Sequence, residues 1–393
     1  MSDASRRGYF GYARPDGRVG TRNRVLVVPT VICASVVAER VAAAIPGVGA
    51  ALPHLAGCGQ LGPDMRVTHD TLAAYCAHPN VGAVLVVALG CEQVVATALA
   101  DVARRAGKRA EVVGIQPEGG TVRATEKGTR IAREMAAEIA QQERNWHDIS
   151  TLVLSLKCGG SDYTSGLASN PALGRVTDRL VSLGGRAVMG EIAEIMGAEH
   201  LLARRATRPE TASRLIQVVT RVEKEAQALG LDIRGTQPSP GNIRGGLTTI
   251  EEKSLGAAHK GGERAPLEDV VPYAAAITRK GLTVMDTPGL DVESVTGMVG
   301  GGAQVVVFTT GLGTPTGNPI APVIKVTGNA RTARHMTDNI DMDVSGVLDD
   351  AETLQEASDR LFTYMLDVAS GRQTAAEILG HREFAIHRRN PTI

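Results

Sequence analysis

Short apolar runs alternate with longer stretches of helical periodicity through the first third of the chain. A run that is apolar throughout is typical of a strand in a parallel sheet covered on both faces. Because such runs alternate with helical patterns, the sequence predicts βαβ units and an α/β fold with open, wound, mostly parallel sheets and flanking helices. The predicted strands are residues 24–31, 81–89 and 111–115, and the predicted helices are residues 34–44, 93–106 and 121–143.

The same alternation begins again after Trp146, which places a predicted domain boundary there. The predicted strands of this second part are residues 151–156, 186–189, 282–285, 304–308 and 322–326, and the helices are residues 173–183, 210–229 and 350–370. Residues 232–265 are rich in Gly, Pro and Thr and have little periodicity, so we expect a functional loop or a linker there. We therefore predict two α/β domains, an N-terminal one over residues 1–146 and a C-terminal catalytic one with glycine-rich loops over residues 147–393.

The composition excludes several kinds of partner. The 393 residues contain 42 Lys and Arg against 42 Asp and Glu, so the formal net charge is zero. This balance gives no electrostatic reason to expect nucleic acid or an anionic membrane as a partner. With 4 Phe, 6 Tyr and 1 Trp, the core is expected to be aliphatic, and surfaces for stacking bases are not expected. The 45 glycines are the unusual feature, and they point to turns where the backbone approaches a ligand closely.

The beginning of the chain lacks the apolar region of a secretory signal, and no window is long and apolar enough for a transmembrane helix. The five cysteines are widely spaced and odd in number, which argues against a disulfide framework. We therefore expect a cytoplasmic protein with free or metal-ligating thiols.

Polar and reactive residues follow several predicted strands, where an open α/β sheet binds its ligands. They are Cys91, Glu92, Glu118, Lys157, Cys158, Ser161, Asp162, Thr309, Thr310 and Gly311. The loop over residues 308–317 is rich in hydroxyl and backbone N–H groups, which is typical of an anion-binding nest. It lacks the lysine of a Walker A motif and the spacing of GxGxxG, so it gives little support for a nucleotide site.

Thiol and imidazole groups in glycine-containing turns predict a metal site. The candidate ligands are His54, Cys58, Cys91 and Cys158. Their spacing matches no zinc-finger or ferredoxin pattern, and the alternative is that each cysteine is a small buried residue near a strand end. We interpret the two other cysteines, Cys33 and Cys76, as core residues.

Lysine and arginine side chains are the candidates for holding an anionic substrate. Lys157 and Lys253 are candidate bases or carboxylate anchors, and Lys253 has Glu251 and Glu252 as neighbours for acid–base work. The alternative for this segment is a helix start with Thr249 as its cap and the two acids in the first turn.

Near the N-terminus, four arginines surround a turn, and two of them, Arg18 and Arg22, are candidates for bidentate binding of a carboxylate. The alternative is that they are solvated charges leading into a strand. The sequence contains neither GxSxG nor HExxH, so serine-hydrolase and zincin functions have no support.

Seven strings of residues together resemble one family, the altronate/galactarate dehydratases, in its large catalytic region. They are GYxRPDGRVGTRN at 11–23, HxxGCGQ at 54–60, HPNVxxVLVVxLGCE at 78–92, KCGGSDxxSGxxxNP at 157–171, GGLTTIEEKSLGxxxKGG at 245–262, MDTPG at 285–289 and FTTGxGTPxG at 308–317. The resemblance runs from about residue 11 to residue 343.

The resemblance implies a lyase that removes water from a sugar acid to give a 2-keto-3-deoxy acid. It implies a divalent metal, Fe²⁺ by preference, and a related branch of the family releases sulfite from 3-sulfolactate instead. Many members of the family carry a small N-terminal domain ahead of this region, and in split members that domain is a separate small subunit. The resemblance therefore also implies a separate small subunit as a partner of this chain. We further expect an oligomer, and a small anionic polyhydroxy acid as the substrate.

Within this resemblance the residues take roles in abstracting the proton α to a carboxylate. The candidate bases and acids are Glu92, Glu118, Glu251, Glu252 and Lys253. The candidate substrate-binding residues are Arg18, Arg22, Asn23, Lys157, Ser161, Asp162, Thr248, Thr249, Thr309, Thr310 and Gly311. A mononuclear metal and a [4Fe–4S] cluster on Cys58, Cys91 and Cys158 both remain open at this point, as does a non-catalytic scaffold that keeps the metal and anion pockets.

Overall fold

The computed structural model describes residues 7–393, in which strands and helices alternate for most of the chain. The strands are β1 Gly8–Ala13, β2 Val19–Gly20, β3 Arg24–Pro29, β4 Gly49–Ala51, β5 Val81–Ala88, β6 Arg109–Gly114, β7 Asn145–Asp148, β8 Val153–Cys158, β9 Arg186–Met189, β10 Leu267–Val271, β11 Gly281–Met285, β12 Val305–Thr309, β13 Val323–Thr327 and β14 Met342–Asp343. The α-helices are α1 Ser35–Ala43, α2 Gly62–Ala77, α3 Ala96–Arg105, α4 Thr121–Ile139, α5 Asn170–Ser182, α6 Glu199–Ala203, α7 Pro209–Ala228, α8 Ile233–Thr236, α9 Pro240–Arg244, α10 Ile250–His259, α11 Asp291–Gly300, α12 Ala330–His335, α13 Leu354–Ala369 and α14 Ala375–Leu379.

Two parallel sheets form the framework, and they confirm the predicted α/β fold. The first has four strands in the order β4-β3-β5-β6, and the second has seven in the order β10-β11-β9-β8-β12-β13-β14. Every pairing within them is parallel. Strand β5 shows why the sequence forms this kind of sheet, since all its residues are buried and nearly all are apolar.

A third, antiparallel sheet has the order β2-β1-β7 and was not predicted. It joins the start of the chain to the middle, with Phe10 opposite Trp146. Strand β7 has the sequence NWHD and is largely exposed, so it lacks the apolar pattern that marks a strand. Pairing with β1, which comes from a distant part of the chain, is what makes it a strand.

One hydrophobic core extends across the predicted domain boundary near residue 147. One cluster joins Val84 and Leu99 from the first part of the chain to Val306 and Phe308 from the second. The two parts therefore share buried apolar surface, which contributes about 25 cal/mol per Å² removed from water. Whether the parts also fold as separate domains stays a prediction.

The segment over residues 232–265 is more regular than predicted, because it contains α8, α9 and α10. The first two helices are too short to produce a periodic pattern. Helix α10 buries Ser254 and Ala257 beside Ile250, so its inner face is small and partly polar rather than apolar. Its beginning fits the cap alternative, since the Thr249 side chain accepts a hydrogen bond from the backbone N–H of Glu252.

Candidate active site

The carboxyl ends of β8, β9, β12 and β13 lie along one edge of the seven-stranded sheet, because these strands are parallel neighbours. Residues 157–158 end β8 and residues 159–162 follow it, residues 190–191 follow β9, and residues 310–314 follow β12. In an open α/β sheet this edge is where ligands bind. The structure places a cluster of buried charged groups there.

Two buried lysines and one buried glutamate form the centre of this cluster. The Nζ of Lys157 contacts Glu191 Oε1, and the Nζ of Lys260 lies 2.9 Å from Glu191 Oε2. The same Lys260 ammonium donates to Cys158 Sγ at 2.9 Å. Lys157, Glu191 and Lys260 have no measurable exposure, so water does not screen these contacts. A fifth group, Asp291, accepts from Lys157 Nζ at 2.6 Å and is 32% exposed, so it connects the cluster to solvent.

The charges of the cluster hold one another in the ionised state. Burial alone would lower the pKa of Lys157, but the carboxylates of Glu191 and Asp291 outweigh it and raise that pKa above its ordinary value. Burial alone would raise the pKa of Glu191, but the two ammonium groups lower it. For Cys158 the balance goes the other way, because burial raises the thiol pKa more than Lys260 lowers it. These directions favour the ammonium form of Lys157, the carboxylate form of Glu191 and the thiol form of Cys158.

The backbone at Glu191 is strained in order to present its carboxylate. Its φ is 66°, in the left-handed region that costs a non-glycine residue of order 1–3 kcal/mol. The Glu191 N–H donates to Thr287 Oγ1 at 2.7 Å, and the Thr287 hydroxyl lies 2.8 Å from Ser294 Oγ on α11. Contacts from the segment after β11 and from α11 thus hold the conformation that turns Glu191 between the two lysines.

Asp162 organises the loops on the other side of the turn that follows β8. Its Oδ1 accepts from Thr164 Oγ1 at 2.6 Å and from the Ser165 N–H at 3.1 Å, and its Oδ2 accepts from Asn329 Nδ2 at 2.7 Å. Asp162 is 2% exposed. A Cβ built on Gly311 would lie 2.1 Å from this carboxylate, so only glycine fits there. Asp162 fixes the positions of its neighbours and keeps little capacity to bind a substrate.

A cleft of about 590 Å³ lies beside Asp162. The Asp162–Tyr163 turn forms one wall, the end of α9 with Gly245 and Gly246 forms the second, and α12 with Leu312 forms the third. Its lining includes the guanidinium groups of Arg244 and Arg331 and the imidazole of His335. The cleft therefore combines a positive lining with a position at the carboxyl edge of the sheet.

Comparison with known proteins decides the family. The profile of the family "D-galactarate/Altronate dehydratase, C-terminal" matches residues 149–392, and that of "D-galactarate dehydratase/Altronate hydrolase, second domain" matches residues 11–140. The chain belongs to the D-galactarate/altronate dehydratase family. The predicted resemblance is thereby confirmed.

Three curated relatives show the range of this dehydratase family. The (2R)-sulfolactate sulfo-lyase subunit beta of Chromohalobacter salexigens is 40% identical over 97% of this chain and 97% of its own. The altronate dehydratase of Bacillus subtilis is 34% identical over 98% of this chain and 79% of its own. The galactarate dehydratase (L-threo-forming) of Escherichia coli is 34% identical over 93% of this chain and 73% of its own. The two dehydratase names and the family itself confirm the prediction of an enzyme of the hydro-lyase class.

The structure brings some of the predicted substrate-binding residues to the same edge of the seven-stranded sheet. Lys157 belongs to the buried cluster, and the Ser161 carbonyl accepts from Asn242 Nδ2 at 2.8 Å next to the cleft. Thr309 donates to Asn170 Oδ1 at 2.5 Å, and Thr310 Oγ1 accepts from the Gly313 N–H at 2.9 Å. Both threonines are buried and use their hydroxyls to hold the loop after β12.

The predicted residues at the start of α10 lie at the protein surface, except Lys253, whose side chain is 9% exposed. Thr248 donates its hydroxyl to Glu252 Oε2 at 2.5 Å, and Glu251 and Glu252 are exposed. Lys253 pairs with Glu194 Oε1 at 3.0 Å and donates to Gln237 Oε1 at 3.0 Å. These contacts describe a capped helix start, and the lysine of this motif that reaches the buried cluster is instead Lys260.

The N-terminal candidates are engaged with the protein itself. Arg18 pairs with Asp16 at 2.6 Å, and Asn23 donates its Nδ2 to the Ile139 carbonyl at 2.9 Å. The buried Arg22 places two guanidinium nitrogens 2.7 Å from the two carboxylate oxygens of Glu377. Arg22 thus already has the bidentate carboxylate partner that the sequence predicted, and this partner belongs to the same chain.

The remaining candidates lie at the carboxyl edge of the four-stranded sheet. Both ring nitrogens of His54 have backbone partners, with Nε2 2.9 Å from the Pro29 carbonyl and Nδ1 accepting from the Ala56 N–H at 3.2 Å. Burial lowers the pKa of His54, so the ring is neutral. Cys58 and Cys91 are exposed and in the reduced, unbridged state.

The two candidate carboxylates at this edge, Glu92 and Glu118, also have partners within the protein. Glu92 accepts from Thr30 Oγ1 at 2.5 Å and from the Gly90 N–H at 2.6 Å. Burial would raise the pKa of Glu92, but these hydrogen bonds outweigh it and lower the pKa. Glu118 pairs with Lys127 on α4.

The predicted metal ligands do not converge. Cys158 ends β8 of the seven-stranded sheet and contacts Lys260, whereas the other three candidates follow strands of the four-stranded sheet. Across residues 7–393 no three His, Cys, Asp or Glu side chains are grouped so that they could hold a metal ion. This arrangement does not fit the metal that the resemblance implies, and metal dependence stays a prediction. Cys33, interpreted from the sequence as a core residue, is exposed, which corrects that interpretation, while Cys76 is buried.

Sequence reasoning missed several residues of the site. Glu191 follows the predicted strand 186–189 directly, so the strand-end rule applied to the others would have found it. Lys260 and Asp291 lie at or beside motifs of the family resemblance, at positions not singled out. For Arg244 and Arg331 no signal exists in the sequence, since both are exposed residues near short helices.

Across residues 7–393, no helix combines the length and the apolar character needed to span a membrane.

Proposed function

We propose that this chain is the catalytic subunit of a lyase that removes water from a sugar acid and yields a 2-keto-3-deoxy acid. The observation that carries the proposal is the half-buried Asp291 carboxylate, which lies 2.6 Å from the buried Lys157 ammonium at the ligand-binding edge of the sheet. Membership of the dehydratase family supports the same reaction class.

The reaction breaks two bonds of the substrate. A base takes the proton from C2, next to the carboxylate, and the electron pair of that C–H bond forms the C2=C3 double bond. The C3–O bond breaks, and the hydroxyl group accepts a proton and leaves as water. The enol at C2 then becomes the 2-keto group, so that atoms and charges balance without an oxidant or reductant.

Asp291 is the proposed acceptor of the C2 proton. Of the five groups in the cluster it alone is substantially exposed, while the other four are almost completely buried. An ionised carboxylate next to an ammonium group can take a proton from carbon when the resulting anion is stabilised nearby.

The cluster becomes more positive in the same step in which negative charge develops on the substrate. Before the reaction, two ammonium groups balance the carboxylates of Glu191 and Asp291. When Asp291 takes the proton, the cluster gains one positive charge, while the substrate carboxylate spreads one additional negative charge. In a site shielded from water this complementarity stabilises the transition state more than the ground state.

Divalent iron remains part of the proposal only through the family resemblance. No step above depends on it, because the described side chains do not form a ligand set. A cytoplasmic location is likewise proposed from the sequence alone.

A second candidate is the release of sulfite from 3-sulfolactate. It is favoured by the 40% identity to a sulfo-lyase subunit beta that matches this chain over 97% of both lengths. The proton at C2 leaves in the same way, and the C3–S bond then breaks with its electron pair on sulfite. Only the leaving group differs, so the same Asp291 and Lys157 serve both reactions.

A separate small subunit is proposed as a partner. The relative just named is a subunit beta, and the altronate and galactarate dehydratases extend beyond the region that this chain matches. A small anionic acid is the proposed substrate, and an oligomeric assembly is proposed from the sequence alone.

The decisive experiment incubates the purified chain, with and without a co-expressed small subunit, with altronate, galactarate and 3-sulfolactate. A 2-keto-3-deoxy acid as the product supports the first candidate, and free sulfite with pyruvate supports the second. An absence of both products under anaerobic, iron-supplemented conditions contradicts the proposed function.

The role of Asp291 has its own test. Asp291→Asn keeps the size of the side chain but removes the base, so we expect kcat to fall about 100- to 10,000-fold. The matched control is Asp101→Asn on the exposed side of α3, for which kcat stays within about twofold. A variant Asp291→Asn that keeps its activity would require a different base.

A further inference from the structure

The cleft beside Asp162 has more positive charge than the neighbouring protein groups neutralise. Arg244 and Arg331 are exposed on opposite walls, and neither side chain forms an ion pair or hydrogen bond with any residue between 7 and 393. His335 also lines the cleft without such a partner in that part of the chain. By contrast, most arginines elsewhere in the molecule have carboxylate or carbonyl partners, as Arg22 and Arg221 do.

Among the described residues that line the cleft, the one acidic residue, Asp162, does not neutralise these cations. The carboxylate of Asp162 receives hydrogen bonds from Thr164, Ser165 and Asn329, and the residue is 2% exposed. The Asp162 carboxylate is therefore occupied by partners within the protein, and the charge that the cleft presents to solvent is positive.

The positions of both arginines are fixed by the backbone around Asp162. The Tyr163 N–H donates to the Gly245 carbonyl at 3.0 Å, which attaches the segment of Arg244 to the turn after β8. Asn329, whose Nδ2 donates to Asp162, also accepts from the Arg331 N–H at 2.9 Å. Anchoring the backbone lowers the entropy lost when the arginine side chains bind an anion.

A glycine pair connects the cleft with the proposed base. A Cβ on Gly159 would lie 2.5 Å from Asp291 Oδ1, and a Cβ on Gly160 would lie 3.6 Å from the Cβ of Leu312, which lines the cleft. Gly160 also has a φ of 57°, a left-handed backbone conformation that favours glycine. The turn at Gly159 and Gly160 therefore packs against the proposed base on one side and against a lining residue of the cleft on the other.

We propose that the enzyme selects substrates with two anionic groups, and that Arg244 and Arg331 bind the group distant from C2. This inference rests on the proposed function and narrows its substrate class to aldarates or sulfonated hydroxy acids. Arginine is suited to both, because its planar guanidinium donates two parallel hydrogen bonds to a carboxylate or a sulfonate. A singly charged aldonate offers only hydroxyl groups at that end.

The test compares kcat/KM for two dianions, galactarate and 3-sulfolactate, with that for the monoanion altronate. For the double variant Arg244→Gln/Arg331→Gln we expect kcat/KM for whichever dianion is turned over to fall roughly 100-fold, mainly through KM. Its value for altronate is expected to change less than about threefold, because that substrate does not use the arginines. The variant Arg244→Lys/Arg331→Lys is expected to recover part of the loss, since the charge returns without the bidentate geometry.

The matched control is Arg133→Gln, which removes an exposed arginine of α4 outside the cleft. We expect it to leave both substrate classes unaffected. An equal loss for dianions and altronate, or no loss for either, would overturn the proposal while leaving the lyase function in place.

A binding experiment separates the inference from the reaction. Malonate and acetate, titrated calorimetrically into the wild-type chain, test dianion preference without turnover. If no acid is turned over but malonate binds better than acetate, and the double glutamine variant loses that preference, the proposed function fails and the dianion site stands. If malonate and acetate bind equally weakly, the dianion site is wrong.

Discussion

At the carboxyl edge of the seven-stranded sheet, two buried ammonium groups face two carboxylates. The same edge of the four-stranded sheet carries exposed thiols and the carboxylate of Glu92, whose partners are a hydroxyl and backbone N–H groups. Both edges contain reactive residues after strands, and the sequence singled out both. The difference is that only the edge of the seven-stranded sheet holds opposite charges away from water. Interactions between charges are stronger in such a buried place than in water. A position at the end of a strand is therefore a weaker sign of chemistry than charge held in a buried cluster.

The largest expected effect is that of removing the shared carboxylate at the seven-stranded edge. Glu191→Gln leaves two ammonium groups buried with only Asp291 to balance them, so we expect the free energy of unfolding to fall by about 3–5 kcal/mol. The corresponding change at the other edge, Glu92→Gln, removes a partly exposed acceptor and is expected to cost about 1 kcal/mol. Urea denaturation of both variants measures the contrast. Equal costs would mean that the two edges do not differ in the way described.

The second expected effect is a loss of folding stability at acidic pH. The pKa of Glu191 is lower in the folded protein than its ordinary value, because the two ammonium groups outweigh the effect of burial. Its contribution to stability is therefore complete above the unfolded-state pKa of about 4.3 and is lost as the pH falls through the lower folded-state value. Urea denaturation at a series of pH values from neutral to acidic should show the wild type losing stability below this point. Glu191→Gln should lose less over the same range, and parallel curves would contradict this account.

A third expected effect separates a structural arginine from a substrate anchor. Arg22→Gln removes a guanidinium that fills both carboxylate oxygens of Glu377, so we expect about 3 kcal/mol of destabilisation with KM unchanged. The matched change Arg18→Gln breaks a partly exposed pair and is expected to cost about 0–1 kcal/mol. A rise in KM for Arg22→Gln without loss of stability would restore its predicted role in binding substrate.

The smallest expected effects are those at the exposed thiols. Cys58→Ser and Cys91→Ser are each expected to change the free energy of unfolding by less than about 0.5 kcal/mol, whereas Cys158→Ser disturbs the contact with Lys260 and costs about 1–3 kcal/mol. Elemental analysis of anaerobically purified variants tests the predicted metal at the same time. Loss of iron in Cys58→Ser or Cys91→Ser would place a metal at the four-stranded edge and reverse the comparison.

Much of the fold was predictable because it depends on local pattern. The strand predicted over residues 186–189 matches β9, and the apolar runs that became β3, β5 and β12 were found within a few residues. Strand β7 and the short helices α8 and α9 were not predicted, because a partner strand or a neighbouring loop holds them rather than their own periodicity.

The candidate site was predictable only in part. Lys157 and Cys158 follow a predicted strand, and the structure places both in the cluster. Their partner Lys260 is 102 positions away from Cys158, and no local pattern specifies which lysine of a helical segment crosses that distance.

The sequence by itself determined the parallel α/β framework, the family and the strand ends where chemistry is placed. Apolar period, turn residues and long motifs are properties of neighbouring positions, so they can be read along the chain. Contacts in the folded molecule determine which charges meet. They pair Arg22 with Glu377, place Glu191 between two lysines and leave Arg244 and Arg331 without partners among residues 7–393. These choices depend on burial and on contacts between distant segments, because the strength of an ion pair is set by its distance from water rather than by its place in the sequence.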